Sequence, residues 1–211
     1  RAALISQGQI AAVRHSDQGI LQIAPGGFAN ALDHFCGDWM THSQALTLIC
    51  GMAGSAQGWQ LAPYMACPRP LQNLTQHLVW VVPNKVALVP GISCELPHAP
   101  DVMRGEETQV SGFYCDHPTF SGLVCLPGTH SKWVAFSEGH IPSFKTLMTG
   151  EIFALLSQQS ILKHTVNATD ESTTEWNQTA FIASVKYAYN HPEDVLSALF
   201  SLRANDLLYG S

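Results

Sequence analysis

Apolar residues recur along this chain in two rhythms, one with a strand period and one with a helix period. The opening stretch AALISQGQIAAV holds two apolar segments around Gly8, which predicts a β-hairpin. Residues 28–42, FANALDHFCGDWMTH, set Ala29, Leu32, Phe35, Trp39 and Met40 at helical spacing and predict a helix. Short apolar runs that stop at glycine or proline come next: ALTLICG at 45–51, LTQHLVWVVP at 74–83 and KVALVPGI at 85–92. SGLVCLPG at 121–128 and KWVAF at 132–136 continue the series, and each run predicts a strand. Residues 104–115 open with charge and turn apolar, as a helix start does. From TGEIFALLSQQSIL at 149–162 the period is helical, with Ile152, Leu155, Leu156, Ile161 and Leu162 apolar. Two more helices are predicted over 178–189 and 192–203. The segment TVNATDESTTEWN at 165–177, rich in threonine and acids, reads as a surface loop.

Strands and helices therefore alternate, and the strands are apolar on both faces. That pattern predicts an α/β protein whose helices cover a central sheet.

Composition narrows the function classes. The chain has 211 residues, 46% of them hydrophobic and 12% charged, enough for one sizeable core or two small ones. A net charge of -6 with ten Lys and Arg argues against a nucleic-acid partner. The best apolar run, HLVWVV at 77–82, ends at Pro83, so no membrane span is expected. Gln7 and Gln9 interrupt the first apolar stretch and no cleavage pattern follows, so a cytoplasmic protein is expected. The six cysteines, Cys36, Cys50, Cys67, Cys94, Cys115 and Cys125, are scattered and mostly flanked by apolar residues. They are expected to be reduced, buried thiols, and no CxxC pair suggests zinc. Asn-x-Thr sequons at Asn73, Asn167 and Asn177 are read as chance.

Four stretches combine residues that suit phosphate or acid–base chemistry. Gly128, Thr129, His130, Ser131 and Lys132 form a hydroxyl-and-lysine turn between two strands. Its amides, hydroxyls and ammonium are what phosphate oxygens require. An ordinary polar hairpin would read the same way. Arg104, Glu106 and Glu107 in MRGEETQ offer a carboxylate base beside an arginine suited to an anionic substrate, or simply an acidic first helical turn. Ser55, Gln57, Gly58 and Trp59 in GMAGSAQGW follow a strand, where α/β proteins bind ligands; a glycine-rich connector anchored by Trp59 is the plainer reading. Thr149 and Gly150 in MTGE open a helix, with Thr149 as its cap or with the helix start facing a nucleotide. No G-x-S-x-G elbow or Walker A loop is present.

Taken in order, GMAGSAQGW, APY at 62–64, VPGI at 89–92, DVMRGEETQ, LPGTHSKWV and MTGE resemble the 2-dehydro-3-deoxygalactonokinases. The resemblance runs through essentially the whole chain and is weakest in 10–45 and 165–190. It implies the actin-like ATPase (ribonuclease H-like) fold, two α/β domains with an interdomain cleft. The sugar-acid domain would be residues 1–105 and the nucleotide domain 106–211. The implied reaction moves the γ-phosphoryl of ATP, with Mg²⁺, to the 6-hydroxyl of 2-dehydro-3-deoxy-D-galactonate. On this resemblance Gly128, Thr129, His130, Ser131 and Lys132 meet ATP phosphates, with Thr149 and Gly150 beside them. Glu106 or Glu107 stands where related carbohydrate kinases carry a catalytic aspartate. Arg104 would take the substrate carboxylate, and Ser55, Gln57, Gly58 and Trp59 would form the sugar-acid wall. No metal ligand is assigned, and homo-oligomerisation is left open.

The family's first strand carries an Asp-x-Gly-Thr motif before an Arg-Ala pair, whereas this sequence starts at Arg1-Ala2. A glycine-rich adenosine loop is likewise expected beyond Ser211. A chain truncated at both ends is therefore expected. Two other readings stand beside the kinase: a non-catalytic fragment that at most binds a sugar acid, and an ATP or phosphate-ester hydrolase on the same fold.

Overall fold

A computed structural model describes residues 1–43, 45–95, 99–166 and 176–210. The chain divides into two units: Arg1–Pro127 with Ser131–Leu147, and Gly128–His130 with Met148–Ser211.

The first unit opens with the expected hairpin, β1 (Ala2–Ser6) antiparallel to β2 (Gln9–Arg14). Gln7 and Gly8 both have positive φ, 51° and 75°, the left-handed pair that matches the twist of a two-residue hairpin. The predicted first helix is α1 (Phe28–Ser43). Arg14 ties the hairpin to it: the guanidinium donates to Asp38 Oδ1 at 2.6 Å and to the Phe35 carbonyl at 2.8 Å, and lies 4.2 Å from the Trp39 ring centroid.

The apolar runs that follow form short strands in small sheets. β3 (Thr47–Ile49) runs parallel to β7 (Val86–Leu88), and β6 (Val79–Val82) pairs antiparallel on the other side of β7. β4 (Tyr64–Ala66) is parallel to β8 (Gly91–Cys94), which is antiparallel to β9 (Asp101–Met103). β5 (Arg69–Pro70) pairs with β12 (His140–Ile141). The 121–136 hairpin is present as β10 (Gly122–Leu126) and β11 (Ser131–Phe136), with β13 (Phe144–Leu147) on the far side of β11.

Three expectations change. The described residues hold five sheets of two or three strands rather than one central sheet. The run KVALVPGI is two strands in two sheets, because Pro90 has no N–H to continue the ladder and the chain steps from β7 to β8 there. Residues 74–77, read as the start of a strand, belong instead to a 3-10 helix (Leu71–His77) before β6.

α2 (Glu106–Asp116) follows β9 directly. Around it lies the main core, in which Ile92, Met103, Val110, Val134, Phe136 and Ile141 are buried together. Met103 and Val110, 2% and 0% exposed, anchor the two sides of the corner that carries Arg104 to Glu107. Each such buried side chain contributes about 1.5–3 kcal/mol. The corner is therefore held by packing as well as by its own hydrogen bonds.

The second unit contains α3 (Thr149–Gln159), α4 (Lys163–Val166), α5 (Gln178–Asn190) and α6 (Val195–Tyr209). α5 falls where the period placed it, α3 ends at Gln159 rather than at 162, and α6 runs over 195–209 rather than 192–203. Asn177 caps α5, its side chain accepting the Ala180 N–H at 2.9 Å, which gives this sequon asparagine a structural task. Thr149 is the first helical residue of α3 rather than its cap; Met148 holds that position. Most of the 165–177 loop lies outside the described residues. The cysteine expectation holds in part: all six are free thiols, but Cys50, Cys115 and Cys125 are exposed.

Candidate active site

The corner between β9 and α2 concentrates the chemistry of the first unit. Gly105 is the residue before α2, with φ 106°, a conformation open to glycine and strained for other residues. A Cβ at Gly105 would lie 3.2 Å from the Cα of Gly51, so the glycine-rich loop after β3 presses directly on the corner. The two acidic side chains fold back onto the turn. Glu106 Oε2 accepts the Arg104 N–H at 3.0 Å, and Glu107 Oε2 accepts the Gly105 N–H at 2.6 Å. The Thr108 hydroxyl donates to Glu107 Oε1 at 3.2 Å. Both carboxylates sit at a helix N-terminus, where negative charge is favoured.

Their surroundings differ. Glu107 is 0% exposed, and burial pushes its carboxyl up to about 6 although backbone N–H groups pull the other way. Glu106 is half-buried, and its Oε1 accepts no bond from the described residues.

Arg104 is 9% exposed. Its Nη2 donates to the Ala62 carbonyl at 2.6 Å, and its guanidinium carbon lies 4.4 Å from the Tyr64 ring centroid. Among the described residues its Nε and Nη1 have no hydrogen-bond partner, and the guanidinium forms no ion pair. A Cβ at Gly54 would come within 2.7 Å of Nη1, so that glycine makes room for the charge. A buried cation with unsatisfied donors is costly, and an anion offsets that cost.

The 51–59 loop turns tightly. Gly58 donates to the Ser55 carbonyl at 3.0 Å and Trp59 to the Ala53 carbonyl at 2.7 Å. A side chain at Gly58 would run into the carbonyls of Met52 and Ala53. Ser55 is buried and donates to Gln57 Oε1 at 3.4 Å, while Gln57 is exposed. The Trp59 ring stacks on Phe28 of α1, with centroids 6.2 Å apart, and so serves as a packing anchor.

The 128–132 turn is divided by the fold. Gly128, Thr129 and His130 belong to the second unit and are exposed. There the Thr129 carbonyl accepts the Glu151 N–H of α3 at 3.0 Å, and His130 Nε2 lies 2.5 Å from Glu151 Oε2. A Cβ at Gly150 would stand 2.6 Å from the Gly128 carbonyl oxygen, so Thr149 and Gly150 begin α3 directly against this turn. Ser131 and Lys132 belong to the first unit, and each is 6% exposed. Lys132 Nζ donates to Thr146 Oγ1 at 2.8 Å and to the Val102 carbonyl at 3.1 Å. Asp101 completes this strut, accepting the Thr146 hydroxyl at 2.6 Å. The ammonium expected on a phosphate is thus engaged by β9 and β13. Among the described residues, no group of three or more His, Cys, Asp or Glu could hold a metal by itself.

A family model described as 2-keto-3-deoxy-galactonokinase matches residues 1–211. The chain belongs to the 2-dehydro-3-deoxygalactonokinase family. A Rhizobium meliloti (strain 1021) protein named "Probable 2-dehydro-3-deoxygalactonokinase DgoK1" is 36% identical over 206 residues, 97% of this chain and 67% of the relative. The 2-dehydro-3-deoxygalactonokinase of Escherichia coli (strain K12) is 33% identical over 195 residues, covering 92% of this chain and 63% of the relative. The chain thus spans about two thirds of the length of the curated relatives it matches. A crystal structure described as a candidate member from Sinorhizobium meliloti superposes with TM-score 0.90 at 35% identity, over 99% of this chain and 70% of that one.

Sequence reasoning missed the contact of Tyr64 with Arg104; Tyr64 entered only as the last letter of the APY motif. It also missed Asp101 and Thr146, whose pairing spans 45 residues and leaves no local signal.

Proposed function

We propose that this chain carries the sugar-acid side and part of the nucleotide side of a kinase that moves the γ-phosphoryl of ATP to the 6-hydroxyl of 2-dehydro-3-deoxy-D-galactonate. The observation that carries this reading is Arg104. Its guanidinium is buried, lacks a carboxylate partner among the described residues and holds two unsatisfied nitrogens. A sugar acid supplies the anion that such a group needs.

Glu106 is the proposed base. It is the more accessible of the two carboxylates and keeps one oxygen without a bond from the described residues. Contact with the substrate hydroxyl is the first requirement of a general base. Glu107, fully buried against the Gly105 amide, is the proposed clasp of the corner. Ser55, Gln57 and Gly58 belong to the proposed sugar-acid wall, with Trp59 holding their loop on α1.

In the second unit, Gly128, Thr129, His130, Thr149 and Gly150 are the proposed phosphate-facing residues, at the N-terminus of α3. An actin-like arrangement of a sugar-acid domain and a nucleotide domain is part of the same proposal. Mg²⁺ would arrive with ATP, since such ions are commonly held by one or two carboxylates together with substrate phosphates. Bound with ATP, the ion would neutralise charge on the transferring group.

The test is a coupled ADP-release assay with ATP, Mg²⁺ and 2-dehydro-3-deoxy-D-galactonate, on this chain and on a chain of the relatives' full length. Glu106→Gln is expected to lose turnover far more than Glu107→Gln. Equal activity of the two variants would remove Glu106 as base, and no sugar-acid-dependent ADP release from either chain would remove the substrate.

A further inference from the structure

Tyr64 and Gly91 form one row of the β4-β8-β9 sheet, paired on parallel strands. Ile92, next to Gly91, pairs with Met103 on the antiparallel neighbour, and Arg104 follows Met103 as the chain leaves β9. Gly91 has no side chain to separate Tyr64 from Arg104. A Cβ there would stand 2.6 Å from both Cδ1 and Cε1 of Tyr64, so the tyrosine ring leans over the glycine. The ring then meets the Arg104 guanidinium at 4.4 Å. Two contacts thus hold the guanidinium: the ring beneath it, and the Ala62 carbonyl, which takes Nη2 at 2.6 Å. Ala62 is itself fixed, 0% exposed, with its N–H on the Gly54 carbonyl at 2.9 Å. What these contacts leave over, among the described residues, is Nε and Nη1, both buried and without a partner.

We infer that Tyr64 is a positioning residue for substrate recognition: its ring face, reached across Gly91, holds Arg104 so that its unpartnered nitrogens are presented to the carboxylate of the sugar acid. The inference rests on the proposed carboxylate-binding role of Arg104. Tyr64 acts through Arg104, and the ring face rather than the hydroxyl does the holding. An aromatic face attracts a cation electrostatically, which a branched aliphatic side chain of similar bulk does not.

The experiment is calorimetric titration of this chain with 2-dehydro-3-deoxy-D-galactonate and with its methyl ester, which keeps every hydroxyl and loses the charge. Wild type is expected to bind the acid more tightly than the ester. Tyr64→Phe, which keeps the ring, is expected to match wild type. Tyr64→Leu is expected to weaken acid binding about tenfold, the scale of one cation–π contact, and to leave ester binding unchanged. The Arg104 Nε–H resonance should shift on adding the acid to wild type and Tyr64→Phe, and shift less in Tyr64→Leu. Should Tyr64→Leu fail to fold, Tyr64→Met carries the same comparison. Equal loss of acid and ester binding would make Tyr64 merely structural and overturn the inference, as would acid binding by Tyr64→Leu within twofold of wild type. Failure of wild type to prefer the acid over the ester would instead overturn the carboxylate role of Arg104, and the inference with it.

Discussion

Gly91 and Tyr64 face each other on parallel strands, and the tyrosine ring occupies the space a side chain at 91 would need. The same absent Cβ would also approach the Met103 carbonyl oxygen at 2.6 Å. That oxygen is backbone and cannot swing aside. Gly91→Ala is therefore expected to destabilise the chain by roughly 1–3 kcal/mol, the usual scale of overpacking. A urea-unfolding midpoint equal to wild type would show that the row tolerates a methyl group.

Gly54→Ala is expected to behave differently. Its Cβ would meet Nη1 of Arg104 at 2.7 Å, the far end of a flexible side chain. The guanidinium can give way, at the cost of loosening its bond to the Ala62 carbonyl, so the stability loss should be about 1 kcal/mol, smaller than for Gly91→Ala. Sugar-acid affinity should fall instead. Loss of stability with affinity intact would reverse this assignment of Gly54.

Glu107 gives a pH signature. Its folded carboxyl titrates near 6 against an ordinary 4.5, because burial disfavours the charged form. Between these values the folded chain holds more protons than the unfolded one. Stability therefore falls as pH rises through that window and is flat above it. The full change is about 2 kcal/mol, since each tenfold change in proton affinity between the folded and unfolded chains is worth about 1.4 kcal/mol. Glu107→Gln keeps an acceptor for the Gly105 N–H and should flatten the profile across this range. Urea midpoints measured at intervals from about pH 4.5 to 7 check it; an unchanged slope in the variant would assign the titration elsewhere.

Lys132 is expected to act on stability. The residue is 6% exposed, and its ammonium is engaged by Thr146 and Val102. Lys132→Met would leave the Val102 carbonyl and the Thr146 hydroxyl oxygen short of a donor. A loss of about 2–4 kcal/mol is expected, the scale of breaking a buried polar network from one side. Thermal unfolding would register it. An unaltered melting point together with weakened ATP binding would return Lys132 to the phosphate.

Thr129 and Gly150 probe the second unit. Thr129→Ala removes an exposed hydroxyl and keeps the carbonyl that accepts the Glu151 N–H, so the fold should be unchanged and ATP affinity reduced severalfold, the value of about one hydrogen bond. Gly150→Ala would press on the Gly128 carbonyl and the Thr129 Cα, at 2.6 and 2.9 Å, and should lower both stability and ATP affinity. Equilibrium binding of ATP, measured beside far-ultraviolet circular dichroism, separates the two effects. Undiminished affinity in Thr129→Ala would remove its hydroxyl from the phosphate site.

Much of the local structure was legible in the sequence. The hairpin at Gly8, helices α1, α2, α3, α5 and α6, and the β10–β11 hairpin follow from apolar period and turn residues. The sites at 51–59, 104–107 and 128–132 were legible as clusters of suitable chemistry. The grouping of Arg104 with the Gly54 loop and Tyr64 was not, since strand pairing brings those residues together. The partners of Lys132 were not legible for a related reason: its neighbours in sequence are hydroxyls and a histidine, whereas its neighbours in space are Thr146 and Val102.

The sequence by itself determined most of the turns, the places of the long helices and which residue types stand ready for phosphate and carboxylate chemistry. These depend on φ preferences, apolar period and local capping, all written within a few residues of one another. Tertiary structure alone decided that Pro90 would break one apparent strand into two sheets, that Glu107 would be buried while Glu106 stayed accessible, and that Tyr64 would reach Arg104 across Gly91. Burial and charge pairing are properties of the neighbours in space, and those neighbours are chosen by packing between segments tens of residues apart.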